Sequence, residues 1–428
     1  MRGPGERVGR RLDILAIVGL VCWLTFDLTA RTVFGSVPWP QSVVDYRILY
    51  EAGRDVVRTH QYPAGYPYPP PAAALHAATA LLPFEFAAPM WLAVTGLAAV
   101  VSYLALARVL GLYSRPGALL VLPLAHVVVA YYFQWDMRSI NCNLIVLAAI
   151  LSGCAALAAG RDAAAGFWFA LSVALKLLPV LLLPYLAWTR RWRAFAWAVG
   201  FSLVFWIGVP LVTFGGSGVR TVYGGWTDEM TRATDPNAKR THPILISLDK
   251  AALYLTADAT ASRAVSLGVC GLWFALGLAG AAAAWGRRER DGFAILAHAS
   301  LLVLGPVAVN PYLEPYHLVP LVVPTVLLLA AAADARQGRR VRTAAAVGFV
   351  LGMVILKASS PWPLRGLLVN AQALVLCGTA VWVAWVRVSG TAPGGTADVS
   401  LRRLRLRALL GRLNPVRVAC ICEPRPQQ

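Results

Sequence analysis

The chain has 428 residues, of which 58% are hydrophobic and only 14% are charged, and its mean hydropathy is +0.62. Soluble domains carry charge on about a quarter of their residues, so this composition excludes an ordinary soluble enzyme and indicates an integral membrane protein. The net charge of +19 could suit a nucleic-acid-binding protein. In so apolar a chain, however, basic residues are expected in cytoplasmic loops that face anionic lipid. We therefore expect membrane lipids as partners and no nucleic acid.

Apolar runs long enough to cross a membrane recur along the chain. A span needs about 20 apolar residues to cross the hydrocarbon layer, and no long polar block separates the runs. The candidate spans are residues 13–33, 86–107, 117–133, 143–160, 163–188, 194–214, 263–285, 293–310, 317–333, 341–358 and 365–387.

The fifth candidate span contains Lys176, Pro179 and Pro184. Proline interrupts a helix, so we expect two short helices that meet at the sequence KLLP. If they form a hairpin, and if residues 71–84 lie along the outer interface, the count is about twelve crossings. In the alternative, residues 71–84 cross and 163–188 is a single span, which also gives twelve but leaves more arginine outside.

The predicted fold class is therefore all-α, a polytopic membrane protein with about twelve transmembrane helices. Basic clusters on one side of the predicted spans place both termini in the cytoplasm. We expect a multi-pass protein of the plasma (inner) membrane, with an integral domain over residues 1–390. Within it, residues 36–70 form the first extracytoplasmic loop. Residues 391–428 are expected to be a linker and a basic cytoplasmic tail.

The sequence of residues 42–58 predicts a helix in which one acidic side chain lies away from the charged face. Five charged side chains share one face at helical spacing, whereas Asp45 projects about 160° away from Arg47, on the apolar face with Leu49 and Val56. An acid on that face is costly unless it has a partner or a function. In the alternative, Ser42 is an N-cap and Asp45 completes a capping box.

The segment DYRILYEAGRDVVRTHQYPAGYPYPPPAAALHAATALLPF resembles the opening of a known enzyme family. It is similar to the family 87 glycosyltransferases, integral GT-C enzymes that use polyprenyl-phosphate sugars and include bacterial α-mannosyltransferases. The shared features are Asp45 with Tyr46, the turn at Tyr68, and a later Trp91. The likeness continues in the KLLP segment and in the sequence VNPYLEPYH, which ends on a late histidine, His317.

The resemblance implies an inverting transfer of a sugar, by analogy mannose, from polyprenyl phosphate to a lipid or lipid-linked glycan outside the membrane. It implies Asp45 as the general base and His317 as a second catalytic residue, although a lone histidine at a helix start is more often interfacial. No metal site, Walker loop or dinucleotide fingerprint is present in the sequence. The expected small molecules are therefore the lipid-linked donor and a glycolipid acceptor, with no cofactor.

Further residues could bind the substrate. Lys176 could bind the lipid phosphate or extend to the interface. Arg240 and His242, on the predicted central outside loop, could contact phosphate or be solvated. Other expected contacts come from Tyr46, Tyr68 and Asn141, the last in a polar turn that resembles a family segment.

Two rival functions stay open at this stage. A transporter or flippase of lipid-linked saccharides would need buried charges at mid-membrane and paired broken helices. Only one broken segment is visible in the sequence, and the conspicuous polar residues lie in outside loops. A third possibility is a partner subunit that has lost its enzymatic activity. The presence of Asp45 argues against it.

Overall fold

The computed structural model describes residues 4–33, 44–59, 62–63, 66, 68–233, 248–256, 258–284, 291–308, 310, 313–357 and 364–390. These residues form helices and turns, and no strand occurs among them, which confirms the all-α class. The chain divides into two compact units, Met1–Ala384 and Trp385–Gln428. Of the second unit only residues 385–390 are described, so the tail predicted over 391–428 lies outside the described residues.

The helices have the following bounds in chain order. They are α1 (Pro4–Val33), α2 (Val44–Thr59), α3 (Pro70–Thr79), α4 (Phe84–Val109), α5 (Val121–Ser139), α6 (Asn143–Ala158), α7 (Asp162–Leu175), α8 (Leu182–Trp188), α9 (Trp192–Leu203), α10 (Val209–Ala233), α11 (Leu248–Thr256), α12 (Ala259–Ala284), α13 (Gly292–Ala308), α14 (Val322–Ala333), α15 (Arg339–Lys357) and α16 (Arg365–Gly390). Short 3-10 segments cover Leu112–Ser114, Ala118–Leu120, Leu178–Leu181 and Pro315–Leu321, and one π-helical turn covers Val204–Gly208.

Six helical segments among the described residues are long and apolar enough to cross a membrane. They are Phe84–Val109, Ala118–Ser139, Trp192–Thr231, Thr260–Gly280, Pro315–Ala333 and Arg365–Arg387. Four shorter apolar helices accompany them: Asn143–Ala158, Asp162–Leu175, Leu178–Trp188 and Gly292–Ala308. The structure is thus that of a helical membrane protein, and the count of about twelve crossings stays a prediction.

Two details favour the first of the two predicted topologies. Helix α3 has ten residues, about 15 Å of helix, which is too short to cross the hydrocarbon layer. Residues 163–188 are not one helix, because Lys176 has extended backbone angles (φ −154°, ψ 127°) at the end of α7. The break predicted at the sequence KLLP is therefore confirmed.

The two faces of α2 match the helical pattern of its sequence. Arg47 and Asp55 are exposed, whereas Leu49 and Val56 are almost completely buried. Asp45 is half-buried on the inward side, as its position in the pattern predicts. Ser42 lies outside the described residues, so its proposed capping box with Asp45 is untested.

Helix α2 approaches α3 closely at Gly53. A Cβ atom at this position would lie less than 3.0 Å from the carbonyl oxygen of His76 and the amide nitrogen of Ala77. Backbone atoms cannot move aside as a flexible side chain can, so only glycine allows this contact. The close approach fixes α2, and with it Asp45, against the rest of the protein.

We expect Gly53→Ala to separate α2 from α3 and to destabilise the protein by about 1–3 kcal/mol, the usual cost of overpacking. The thermal unfolding temperature of the detergent-purified protein measures this effect. Gly200→Ala is the matched control, because a Cβ added to this helical glycine meets nothing within 4 Å. Equal unfolding temperatures for the two variants would contradict the role given to Gly53.

Candidate active site

The side chain of Asn141 lies between Asp45 and Tyr68. Its amide nitrogen donates to Oδ2 of Asp45 at 3.1 Å, and its amide oxygen accepts from the hydroxyl of Tyr68 at 3.1 Å. The same oxygen accepts the backbone N–H of Cys142 at 2.7 Å. The two donors on the oxygen side fix the orientation of the amide, so that a hydrogen-bond donor faces the carboxylate of Asp45.

The turn that presents Asn141 joins α5 to α6 and passes through Ile140. Ile140 has φ 50° and ψ 47°, in the left-handed region that β-branched residues rarely adopt. Two features hold it there: the side chain of Ile140 is buried, and the N–H of Asn141 donates to the carbonyl oxygen of Asp136 at 3.1 Å. Strain of this kind costs about 1–3 kcal/mol and concentrates at functional sites. The surrounding packing therefore determines where Asn141 points.

A second amide, that of Asn143, connects Asp136 to Lys176. Asn143 donates from Nδ2 to Oδ1 of Asp136 at 2.7 Å, and the backbone N–H of Leu144 donates to Oδ2 of Asp136 at 3.1 Å. The Nζ atom of Lys176 donates to Oδ1 of Asn143. The fully buried carboxylate of Asp136 thus caps the first turn of α6 and turns the amide oxygen toward the lysine.

Lys176 lies at the end of α7 with its ammonium group between two tyrosine rings. Its Nζ atom is 5.5 Å from the ring centroid of Tyr68 and 5.9 Å from that of Tyr316, distances at which a cation is attracted to an aromatic face. The carboxylates that also attract this charge are those of Asp45, Asp136 and Glu314. Within the described part of this cluster, Lys176 is the one side chain with a formal positive charge.

The turn before the span Pro315–Ala333 supplies the last part of the site. The N–H of Glu314 donates to Nδ1 of His317 at 3.0 Å, and the Glu314 side chain accepts the N–H of His317, which makes a capping box. Because Nδ1 is an acceptor, the proton of the neutral imidazole is on Nε2. The ring of Tyr316 lies 4.7 Å from that of His317, and Tyr316 interacts electrostatically with Asp45 and Glu314.

The carboxyl groups of Asp45 and Glu314 bind a proton more tightly than they would in water. Burial raises the pKa of Asp45, and the hydrogen bond from Asn141 opposes part of this change. Burial also raises the pKa of Glu314, and the negative charge of Asp45 adds to the effect. A carboxylate with a raised pKa is a stronger base, as proton abstraction at neutral pH requires.

The structure brings most of the predicted site residues into one cluster. Asp45 contacts Asn141, Asn141 contacts Tyr68, and Lys176 lies against the ring of Tyr68. His317 joins them through Glu314 and Tyr316 and through its electrostatic interaction with Lys176. Residues that are widely separated in the sequence are therefore assembled at the ends of five helical segments.

One of the predicted substrate-binding residues, Tyr46, is described by the structure but is not part of this cluster. Tyr46 is fully buried, and its ring packs on Phe84 and Trp91 with centroids 6.0 and 5.9 Å away. These contacts attach α2 to α4, and a contact of Tyr46 with substrate stays a prediction. Arg240 and His242 lie outside the described residues, between α10 and α11.

Sequence reasoning placed Asp136 and Asn143 in the same polar turn as Asn141, where a substrate contact or a simple loop was possible, and it assigned no role to Glu314 or Tyr316. The spacing of three between Glu314 and His317 is that of a capping box, and it could have drawn attention to Glu314. The roles of Asp136 and Asn143 depend on the turn at Ile140, which no local pattern predicts. Among the described residues, no group of three or more His, Cys, Asp or Glu side chains is placed to hold a metal ion.

The fold and this cluster define a helical membrane protein with a buried polar site. The sequence model of glycosyltransferase family 87 matches residues 66–311, more than half of the chain. The chain therefore belongs to glycosyltransferase family 87 and is a membrane glycosyltransferase, as its opening segment suggested. The match includes Asn141 and Lys176, whereas Asp45 and His317 lie outside it. No curated protein and no solved structure matches the chain.

We expect Asp136→Ala to destabilise the protein, because it leaves the buried N–H of Leu144 and the amide of Asn143 without their acceptor. Each such loss costs about 1–3 kcal/mol. Thermal unfolding of the purified protein in detergent measures the change. Asp228→Ala removes an exposed carboxylate of α10 and should unfold at the parent temperature; the assignment fails if both variants do so.

Proposed function

We propose that this glycosyltransferase moves a sugar from a polyprenyl-phosphate donor to a hydroxyl group of a lipid or lipid-linked glycan, with inversion at the sugar carbon. The observation that carries the proposal is the position of Asp45, a partly buried carboxylate beside Lys176 within a glycosyltransferase of family 87. Such a reaction needs a base for the incoming hydroxyl and positive charge for the departing phosphate. The cluster offers both within one site.

Asp45 is the proposed general base. Its carboxylate would accept the proton of the acceptor hydroxyl while the new glycosidic bond forms. The donor nitrogen of Asn141, at 3.1 Å from Oδ2, holds the carboxylate in one orientation. Asn141 therefore acts on Asp45 as a positioning residue, and the substrate contact that its sequence suggested stays a prediction.

Lys176 and His317 are the proposed partners of the donor phosphate. Lys176 already lies among carboxylates, so an incoming phosphate would compete with them for a charge that is present without the donor. His317 would contribute the N–H of Nε2, because its Nδ1 accepts from Glu314. Tyr68, whose ring lies beside the ammonium group, would face the same part of the substrate.

The remaining expectations belong to the same proposal. We propose mannose as the sugar, a GT-C-type fold with about twelve transmembrane helices, and a site on the extracytoplasmic face of the plasma membrane. Both termini would then be cytoplasmic, with an integral domain over 1–390 and a basic tail over 391–428. The short α3 and the break at Lys176 support this topology, because they fit the arrangement that keeps basic loops on one side.

Asp45→Asn should reduce the transfer of radiolabelled mannose from polyprenyl-phosphate mannose to total membrane lipid by about 10²–10⁴-fold, the usual contribution of a general base. The amide keeps the size of the side chain but cannot accept the proton. The assay uses membranes that carry equal amounts of each variant. Asp55→Asn, the same change on the exposed face of α2, is the matched control and should transfer at the parent rate.

Equal transfer by the parent and Asp45→Asn would remove Asp45 from the reaction. If the parent transfers no sugar from polyprenyl-phosphate mannose, glucose or arabinose, yet moves these lipids across a vesicle membrane, the protein is instead a transporter. The glycosyltransferase proposal fails on that result, since a transporter needs no base beside the sugar.

Transfer should also decline in acid at a pH above the usual range of an aspartate. Asp45 works only when ionised, and burial raises its pKa, so activity is present above the raised pKa and is lost as the pH falls through it. The measurement is kcat/KM for transfer between about pH 4 and pH 9. A rate that is constant down to the ordinary pKa of aspartate, near 4, would be inconsistent with a buried base.

A further inference from the structure

Helix α10 changes direction at Gly215. The backbone there has φ 74° and ψ 166°, angles that only glycine adopts without strain, so residues 216–233 form a second helical segment. The hydroxyl of Tyr223 in this segment donates to the carbonyl oxygen of Trp206 in the π-helical turn, and the rings of Trp206 and Trp226 lie 5.6 Å apart. In one straight helix, Tyr223 and Trp206 would be about 25 Å apart. The second segment is therefore folded back on the first.

The buried face of this second segment contacts the tyrosine-rich turn before α3. Val222 is fully buried, and Gly225, three residues further along the same face, lies against Tyr62. A Cβ atom at Gly225 would be 3.2 Å from the Cβ atom of Tyr62, so an added methyl group would displace Tyr62 by a few tenths of an ångström. A Cβ atom at the neighbouring Gly224 meets nothing within 4 Å.

The side chain of Tyr62 holds the turn together. Its hydroxyl donates to the carbonyl oxygen of Tyr66 at 2.8 Å and also to that of Tyr68. The ring of Tyr66 is fully buried between the other two rings, with its centroid 5.8 Å from that of Tyr62 and 5.3 Å from that of Tyr68. The three tyrosines therefore form one packed unit, which begins at residues 216–233 and ends at Tyr68.

Tyr68 connects this unit to the site through two different contacts. Its hydroxyl donates to the amide oxygen of Asn141 at 3.1 Å, and its ring lies 5.5 Å from the Nζ atom of Lys176. If Tyr68 moved, the amide of Asn141 would still be oriented by the N–H of Cys142, at 2.7 Å. Lys176, however, would lose one of the two rings that hold its ammonium group. A displacement of Tyr68 should therefore affect the cation more than the base.

We propose that Tyr62 is a positioning residue for the donor phosphate. It transmits the position of residues 216–233 to the ring of Tyr68, which holds the ammonium group of Lys176 in place before the donor binds. A side chain that is already held loses less conformational freedom when it binds phosphate. This proposal rests on the proposed function, in which Lys176 binds the donor phosphate, and adds to it a contact outside the cluster that sets the affinity for the donor.

The test measures Kd for radiolabelled polyprenyl-phosphate mannose and kcat for mannose transfer in two variants of the detergent-purified protein. Tyr62→Phe removes the hydroxyl and keeps the ring, whereas Gly225→Ala displaces the tyrosine and keeps its hydroxyl. Each variant should raise Kd about two- to tenfold, the effect of ordering one long side chain on binding. Each should keep kcat within about twofold of the parent, because the lost interaction contributes to binding alone.

Gly224→Ala is the matched control, because it makes the same change one position away, where the added methyl group meets nothing. It should keep the Kd and kcat of the parent. The proposal is overturned if both test variants bind the donor as the parent does. It is also overturned if they lower kcat, donor affinity and the unfolding temperature together, as a general loss of packing would do.

The same measurements separate this proposal from the proposed function. A parent that neither binds polyprenyl-phosphate mannose nor transfers its sugar overturns both. A parent that binds the donor and transfers the sugar, with unaffected Tyr62→Phe and Gly225→Ala variants, overturns the role of Tyr62 alone.

Discussion

The hydrogen bond from Asn141 to Asp45 is the contact on which the site depends. It joins the start of α2 to the turn between α5 and α6, and the same amide oxygen accepts from Tyr68 just before α3. A carboxylate on the inward face of a helix in a membrane protein is costly without a partner. Asn141 supplies that partner without adding charge, so Asp45 is held in place and keeps its ability to accept a proton.

The charges of the cluster are arranged around this contact. Lys176 interacts with three carboxylates and two aromatic rings. Its positive charge therefore acts on groups with structural roles and on groups with proposed catalytic roles. Asp136 serves structure, because it caps α6 and orients Asn143. Asp45 and Glu314 instead interact electrostatically with Tyr316. The same lysine thus interacts with one acid that has a structural role and with two acids beside the proposed reaction site.

The sequence predicted the parts of this site that depend on local periodicity. The helical period placed Asp45 on the inward face of α2, and the prolines after Lys176 predicted the break at the end of α7. The family resemblance added His317. These features depend on a few neighbouring residues, which is why a single sequence was enough to find them.

The partners of these residues could not be predicted in the same way. Asn141 is 96 positions from Asp45, and the turn that aims it contains an isoleucine in the left-handed region, where sequence preference would favour glycine. The number of crossings is equally hard to read from hydropathy. Helix α6, with 16 residues, is shorter than a usual span, although its side chains are among the most deeply buried.

The most direct test of the account is the kinetics of Asn141→Leu, which removes the amide but keeps a side chain of similar size. If Asn141 positions the base, kcat for sugar transfer should fall by about 10²-fold, the effect of a small misplacement of a catalytic group. The Kd for polyprenyl-phosphate mannose should stay near the parent value, because the proposed phosphate partners are Lys176 and His317. A variant that transfers at the parent rate, or that loses only donor affinity, would contradict the central claim.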